Sequence, residues 1–268
     1  MTACVESNPT EPVQSPSGRI VFLYHELRTS ESPYAYAITT RLFERHMDLF
    51  VRLHGDKNCN LWPELTFDDG HISNYDLAAP ILQSNGLTAQ LFITAGWTGI
   101  KPNYMGWSEL RALQKAGFSI GAHGWSHSLL THCNNEELKL ELGKSRLTLE
   151  DKLGTSITTM SLPGGRHNRR VLDACEQAGY RHIYTSEPRV ESVPFGRTVG
   201  RLNVLGSMQS EWIARLFELK SRVLSDLGRK HRMKEAAKTL LGDRLYGRLW
   251  AQVNRQEPEL AGDEDDAG

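Results

Sequence analysis

The stretch Leu65-Thr66-Phe67-Asp68-Asp69-Gly70 reads as the end of a buried strand, two adjacent carboxylates and a glycine that lets the backbone turn sharply. Neighbouring aspartates at a strand end repel each other and are costly to desolvate. Such a pair needs a cation, or one member must carry out proton chemistry. Taken alone, it is equally a solvated Asp-Asp-Gly turn, since both residue types are ordinary in turns. A second stretch shifts the balance. Gly121-Ala122-His123-Gly124-Trp125-Ser126-His127 follows another apparent strand end and spaces two histidines i, i+4. The two can face one point if the chain turns helically after the strand. Two histidines and a carboxylate form a known ligand set for a catalytic divalent metal, with a position open to water.

Working outward, the chain alternates strand and helix. Residues 19–25 form a continuous apolar run ending in Tyr24-His25, the mark of a strand buried on both faces of a parallel sheet. Apolar spacing predicts a helix over 37–53, capped by Thr39 or Thr40, and others over 73–85, 108–116 and 168–178. A longer amphipathic helix opens at Asn134 or Asn135 and ends at Gly154, with Leu138, Leu142, Leu149 and Leu153 on one side. Further strands are predicted at 88–94, 157–162, 181–185 and 198–204. This alternation predicts an α/β fold with a parallel sheet. His25, Asp68, His123 and Gly164 all follow strands, and a (β/α) barrel presents its active site at those strand ends.

Thr66-Phe67-Asp68-Asp69-Gly70 and His123-Gly124-Trp125-Ser126-His127 closely resemble the first two motifs of the polysaccharide deacetylases, carbohydrate esterase family four. The resemblance runs from about residue 20 to about residue 204. It implies an incomplete or distorted (β/α) barrel of about seven strands. It also implies that Asp68 is the general base and that Asp69, His123 and His127 hold one divalent metal ion. Zinc is the first expectation, with cobalt, manganese, nickel or iron as alternatives. In that family a later strand end carries an arginine that pairs with the base, and a Pro-Tyr-Gly whose backbone N–H stabilises an oxyanion. Here Ser161-Leu162-Pro163-Gly164-Gly165-Arg166 has Ser161 or Leu162 at the arginine position and Gly164 at the tyrosine position. The oxyanion role, at Gly164 and Gly165, survives because it needs only a backbone amide. The guanidinium must come from elsewhere, with Arg166 and Arg201 as candidates.

The family's general-acid histidine near the last strand is absent from Arg201-Leu202-Asn203-Val204-Leu205-Gly206. His25 is the substitute we consider first; a structural histidine bonded to a neighbouring carbonyl is the alternative. His71 is a weaker candidate. Trp97, Trp107 and Trp125 lie near post-strand loops, where they can stack on sugar rings or pack in the core.

The 268 residues carry a formal net charge of −1 and 39% hydrophobic content, which fits a sizeable core and gives no global case for nucleic acid. Cys4, Cys59, Cys133 and Cys175 are scattered, with no metal or redox spacing, and read as reduced thiols. Residues 1–18 are polar, lack an apolar signal core and read as a disordered leader. The predicted organisation is therefore a leader (1–18), a deacetylase-like barrel (19–206), a helical extension (207–256) and an acidic disordered tail (257–268). The basic, leucine-bearing stretch 229–255 packs on the barrel, forms an oligomer contact or lies on an anionic membrane surface. These features predict a cytoplasmic protein, with the inner membrane surface as a further site. Its partner is a carbohydrate, and nothing in the sequence sets its oligomeric state. The expected activity is metal-dependent removal of an N-acetyl group from an amino sugar in a polysaccharide or its lipid- or nucleotide-linked precursor. Hydrolysis of a non-sugar amide, imide or formamide on the same fold, and a non-catalytic binding module, are the alternatives.

Overall fold

Strand β1, Gly18–Tyr24, is buried along nearly its whole length, as its apolar composition requires. Its alternate residues serve two cores, the period-two signature of a strand covered on both faces. Ile20, Phe22 and Tyr24 join the large outer cluster beneath the helices. Val21 joins Phe92, Tyr184 and Val199 in a small second cluster that fills the sheet's inner side. The computed structural model describes residues 18–218 and 221–241.

In chain order, two short strands follow, β2 (Glu26–Arg28) and β3 (Ala37–Thr39), paired with each other in a separate parallel ribbon. Helix α1 (Thr40–Gly55) is capped by the Thr39 side chain, which accepts from the Leu42 N–H. Then come β4 (Leu61–Phe67), a π-helical turn (Asn74–Ala78) running into α2 (Ala79–Ser84), β5 (Gln90–Ile93), α3 (Trp107–Lys115) and β6 (Ser119–Ala122). The long predicted helix is built from α4 (Asn135–Lys139), a second π turn (Leu140–Lys144) and α5 (Ser145–Leu153), closed by Gly154 in the left-handed conformation. The described chain continues with β7 (Thr159–Ser161), α6 (Arg169–Gln177), β8 (His182–Tyr184), β9 (Val190–Glu191), β10 (Thr198–Val199), β11 (Leu202–Asn203), α7 (Ser210–Ala214) and α8 (Val223–Leu241).

The main sheet runs β10-β8-β7-β6-β5-β4-β1-β11, with every neighbouring pair parallel. Its first and last members are only two residues apart in sequence. Thr198–Val199 extends one end of the sheet and Leu202–Asn203 the other, so one short segment nearly closes the barrel. The strand predicted at 198–204 is therefore two strands flanking Gly200-Arg201, and the path has eight strands where about seven were predicted. Antiparallel β9, which no sequence pattern signalled, pairs with β1.

Helix α7 packs beside α1, where buried His46 bonds through Nε2 to the Met208 carbonyl and through Nδ1 to the Tyr24 hydroxyl. Helix α8 is tied to the barrel by Arg232–Glu187. The predicted leader lies outside the described residues up to position 17, and so do the predicted acidic tail and the basic stretch beyond Leu241. No helix among the described residues is long and apolar enough to cross a membrane.

Candidate active site

Six residues converge at the carboxyl ends of the barrel strands. His25 follows β1, Asp68 and Asp69 follow β4, His123 follows β6, Ser161 ends β7, and Arg201 occupies the break between β10 and β11. This is the placement expected of a barrel enzyme's functional residues.

Asp68 is almost fully buried and doubly paired. Arg201 grips it through two parallel bonds, Nη1 to Oδ1 and Nη2 to Oδ2, both 2.8 Å. The Ser161 hydroxyl donates to Oδ2 at 2.8 Å while accepting from Arg201 Nη2 at 2.6 Å. Arg201 also donates to the Thr66 hydroxyl and, through Nε, to the Thr185 carbonyl. Its guanidinium caps the inner cluster, 5.3 Å from the Phe92 ring centre and 5.7 Å from that of Tyr184. Burial would raise the Asp68 carboxyl, but Arg201, His123 and His25 outweigh it and hold it below the ordinary carboxylate value. Arg201, rather than Arg166, is thus the residue that pairs with Asp68. The position where a family arginine was sought carries Ser161, which supplies a hydroxyl instead.

Asp69 lies one residue on, in the left-handed conformation with φ 71°. Its Oδ1 is 3.2 Å from His123 Nε2 and 3.3 Å from His127 Nε2, and the three groups' ligand atoms lie within 4.8 Å of one another. His127 is also left-handed, with φ 67°. Left-handed non-glycine residues are uncommon, and two of them in one three-residue cluster mark backbone held against its preference.

His123 Nδ1 lies 2.8 Å from the Ser161 carbonyl. A carbonyl can only accept, so Nδ1 carries the proton, and in neutral His123 the Nε2 lone pair faces Asp69. A lone pair aimed at a carboxylate oxygen needs positive charge between them, from a proton or a metal cation. Burial would lower the His123 pKa, but Asp68 and Asp69 outweigh it and raise it. Burial would raise Asp69, and the two histidines hold it well below the ordinary value. The donor set, two imidazole nitrogens and a carboxylate oxygen, fits a divalent cation such as zinc, and the Nδ1–carbonyl bond is how ligating histidines are commonly oriented.

His25 stacks near Tyr36, with ring centres 5.0 Å apart, and its Nδ1 is buried without a hydrogen-bond partner. Burial lowers its pKa, and Asp69 and Asp68 act against that shift, so the ring lies in the field of the same cluster. The His25 backbone carbonyl accepts from Asn74, which sits on the first π turn.

The Pro163–Gly165 turn places Gly164 at φ 65° on the surface, while the Gly165 amide is committed to the Leu162 carbonyl. The Trp125 ring packs against Gly96, and Lys144 Nζ lies over it at 3.6 Å. Trp97 is the tryptophan in ring contact with His127, at 5.2 Å. His71 is held by Ser73 and faces Glu26, a structural arrangement.

Residues 62–183 match the polysaccharide deacetylase family model. Rather less than half of the chain is thus similar to the polysaccharide deacetylases. The chain is 25% identical over 197 residues to YxkH of Bacillus subtilis (strain 168), a protein named as a polysaccharide deacetylase, covering 67% of the present chain and 68% of that one. It is 30% identical over 120 residues to chitin deacetylase 1 of Cryptococcus neoformans, covering 45% of this chain but 24% of that protein. The chain also shares its fold with the Streptococcus pyogenes deacetylase PplD in complex with acetate, at a TM-score of 0.68 and 19% identity, over 76% of this chain and 100% of the other.

Three residues of the site escaped the sequence reading in whole or part. Ser161 was noted only as an occupant of a missing arginine's place. Glu141, whose side chain bonds the 124–126 loop, was not singled out. Nor was Tyr104, which joins Trp97 in the aromatic wall at 4.8 Å. A signal existed for Glu141, because it lies three residues after Leu138 on the helix's apolar stripe, where a carboxylate is out of place.

Removing the guanidinium should strand a buried charge. Arg201→Met is expected to destabilise the fold by about 3–5 kcal/mol. Adding Asp68→Asn in the same chain should recover part of that loss in urea unfolding. Additive losses would show that the pair is not what holds Arg201 in place.

Proposed function

We propose that this protein hydrolyses the N-acetyl group of an amino sugar in a polysaccharide or its precursor. We assign Asp69, His123 and His127 as ligands of a divalent cation and Asp68 as the general base. The observation that carries the reading is the convergence of two imidazole nitrogens on Asp69 Oδ1, beside a second aspartate kept ionised by Arg201. The match of residues 62–183 to the polysaccharide deacetylase model supports the substrate class. A divalent cation at this site would activate a water and polarise the acetamide carbonyl.

Asp68 takes the proton from the attacking water as its oxygen bonds to the carbonyl carbon. Arg201 and Ser161 fix the carboxylate's orientation so that its remaining lone pair faces the reaction. The Gly164 amide is assigned to the oxyanion, since the Gly165 amide is already bonded within the turn. Collapse of the tetrahedral species breaks the C–N bond, and the departing nitrogen must take a proton because a free amide anion is a very poor leaving group. His25, whose buried Nδ1 has no hydrogen-bond partner, is assigned that donation; burial favours its neutral ring, and the negative charges of Asp69 and Asp68 work against that shift. The products are acetate and a free amino sugar. Trp97, in ring contact with His127, is the aromatic ring assigned to the sugar, with Lys101 Nζ lying 3.4 Å from its centre.

Acetate release from oligomeric, lipid-linked and nucleotide-linked N-acetyl sugars tests the reading. Asp68→Asn should keep the bound metal and lose about 10²-fold or more in turnover. Near-normal turnover in that variant would mean another group is the base. His25→Ala should slow acetamide hydrolysis but spare 4-nitrophenyl acetate, whose leaving group needs little protonation. An equal loss on both substrates would assign His25 to binding or structure instead.

A further inference from the structure

The two histidines of the cluster are held in different ways. His123 is fixed through its ring, by the Nδ1–H bond to the Ser161 carbonyl, and through its backbone, whose N–H donates to the Ile93 carbonyl at 2.8 Å. The His127 ring meets Asp69, His123 and Trp97. Its position therefore depends on the three residues that lead to it, Gly124, Trp125 and Ser126, and on a backbone held at positive φ.

Those three residues are gripped from two sides. Their carbonyls face the loop after β5, where Ala95 N–H donates to Gly124 at 3.1 Å and Gly96 N–H donates to Trp125 at 2.9 Å. The N–H groups of Trp125 and Ser126 face one side chain. Glu141 Oε2 accepts from Trp125 N–H at 2.8 Å and Ser126 N–H at 3.0 Å, and Oε1 accepts from the Ser126 hydroxyl at 2.6 Å. Glu141 is only 5% exposed and lies on the π turn Leu140–Lys144, which interrupts the otherwise regular α4–α5 helix. Helical π turns are rare and occur often at functional sites. The same carboxylate would lie 3.0 Å from a Cβ added at Gly124, whose φ of +81° already favours glycine.

We propose that Glu141 is a positioning residue for the cation site. Spanning two successive backbone amides and a hydroxyl, it sets the path of the 124–126 loop and so delivers His127 Nε2 to Asp69. The role rests on shape, namely an acceptor at the reach of a glutamate, and not on the side chain's negative charge. It rests also on reading Asp69, His123 and His127 as a cation site.

Two substitutions separate shape from charge. Glu141→Gln keeps the length. Its amide oxygen can accept from both backbone N–H groups, and its NH₂ can donate to the Ser126 hydroxyl, which is free to turn toward Ser128 Oγ at 2.7 Å. Glu141→Asp keeps the charge but is one methylene short. Zinc affinity of the purified full chain, measured by competition with a chromophoric chelator, should be near normal for Glu141→Gln. It should be weaker by about tenfold or more for Glu141→Asp, the range typical of groups that orient metal ligands. The visible spectrum of the cobalt-loaded protein should change in Glu141→Asp alone. Equal zinc affinity in all three proteins would overturn the role of Glu141. The reverse order, with Glu141→Asp normal and Glu141→Gln weak, would overturn it in favour of a charge effect. An unsubstituted protein that binds no zinc would overturn the cation-site reading and this inference together.

Discussion

The buried pair between Arg201 and Asp68 is the interaction on which the rest of this site depends. Neither charge is tolerable alone at that depth, since an unpaired buried ion costs several kcal/mol. Together they form a bidentate bond that is itself braced by Ser161, Thr66 and the Thr185 carbonyl. The guanidinium comes from the segment that joins the two ends of the sheet, so barrel closure and the ionisation of Asp68 are one structural event. Below it, Val21, Phe92, Tyr184 and Val199 form a buried apolar floor.

That arrangement explains why two adjacent aspartates can serve different ends. Asp68 turns inward to Arg201, whereas Asp69 turns to the two histidines and is somewhat more open. The left-handed backbone at Asp69 is what reverses the direction between neighbours. Once Asp68 is neutralised by Arg201, the second carboxylate is free to balance a separate positive charge. Two environments thus separate two chemically identical groups, one paired to a guanidinium and one facing two imidazoles, which is the division the proposed base and ligand roles require.

Much of this was legible in the sequence, for physical reasons. Residues 19–25 could be read as a doubly buried strand because their apolar content leaves no solvent face, and Asp68-Asp69-Gly70 because repulsion between neighbouring carboxylates demands an explanation. The helix predicted over 37–53 begins at Thr40 with the expected Thr39 cap, residues 37–39 forming β3 instead, and the helix predicted over 168–178 spans Arg169–Gln177 with Asn168 as its cap. Closure was not legible. A run at 198–204 looks like one strand, and only the register with β8 and β1 shows that Gly200-Arg201 interrupts it. Arg201 was one of two candidates because strand-end position does not fix side-chain direction. The π turn at 140–144 was hidden because the leucine spacing fits a regular helix, and Glu141 was passed over as part of that face.

The central claim is that Asp69, His123 and His127 together hold a divalent cation beside the Arg201-bound Asp68. X-ray diffraction from zinc-loaded crystals at the zinc absorption edge tests it most directly. The account predicts one anomalous peak, bonded to Asp69 and to Nε2 of both histidines, with Asp68 still paired to Arg201. No peak between those three side chains, or a cation bonded by Asp68 in place of Asp69, would contradict it.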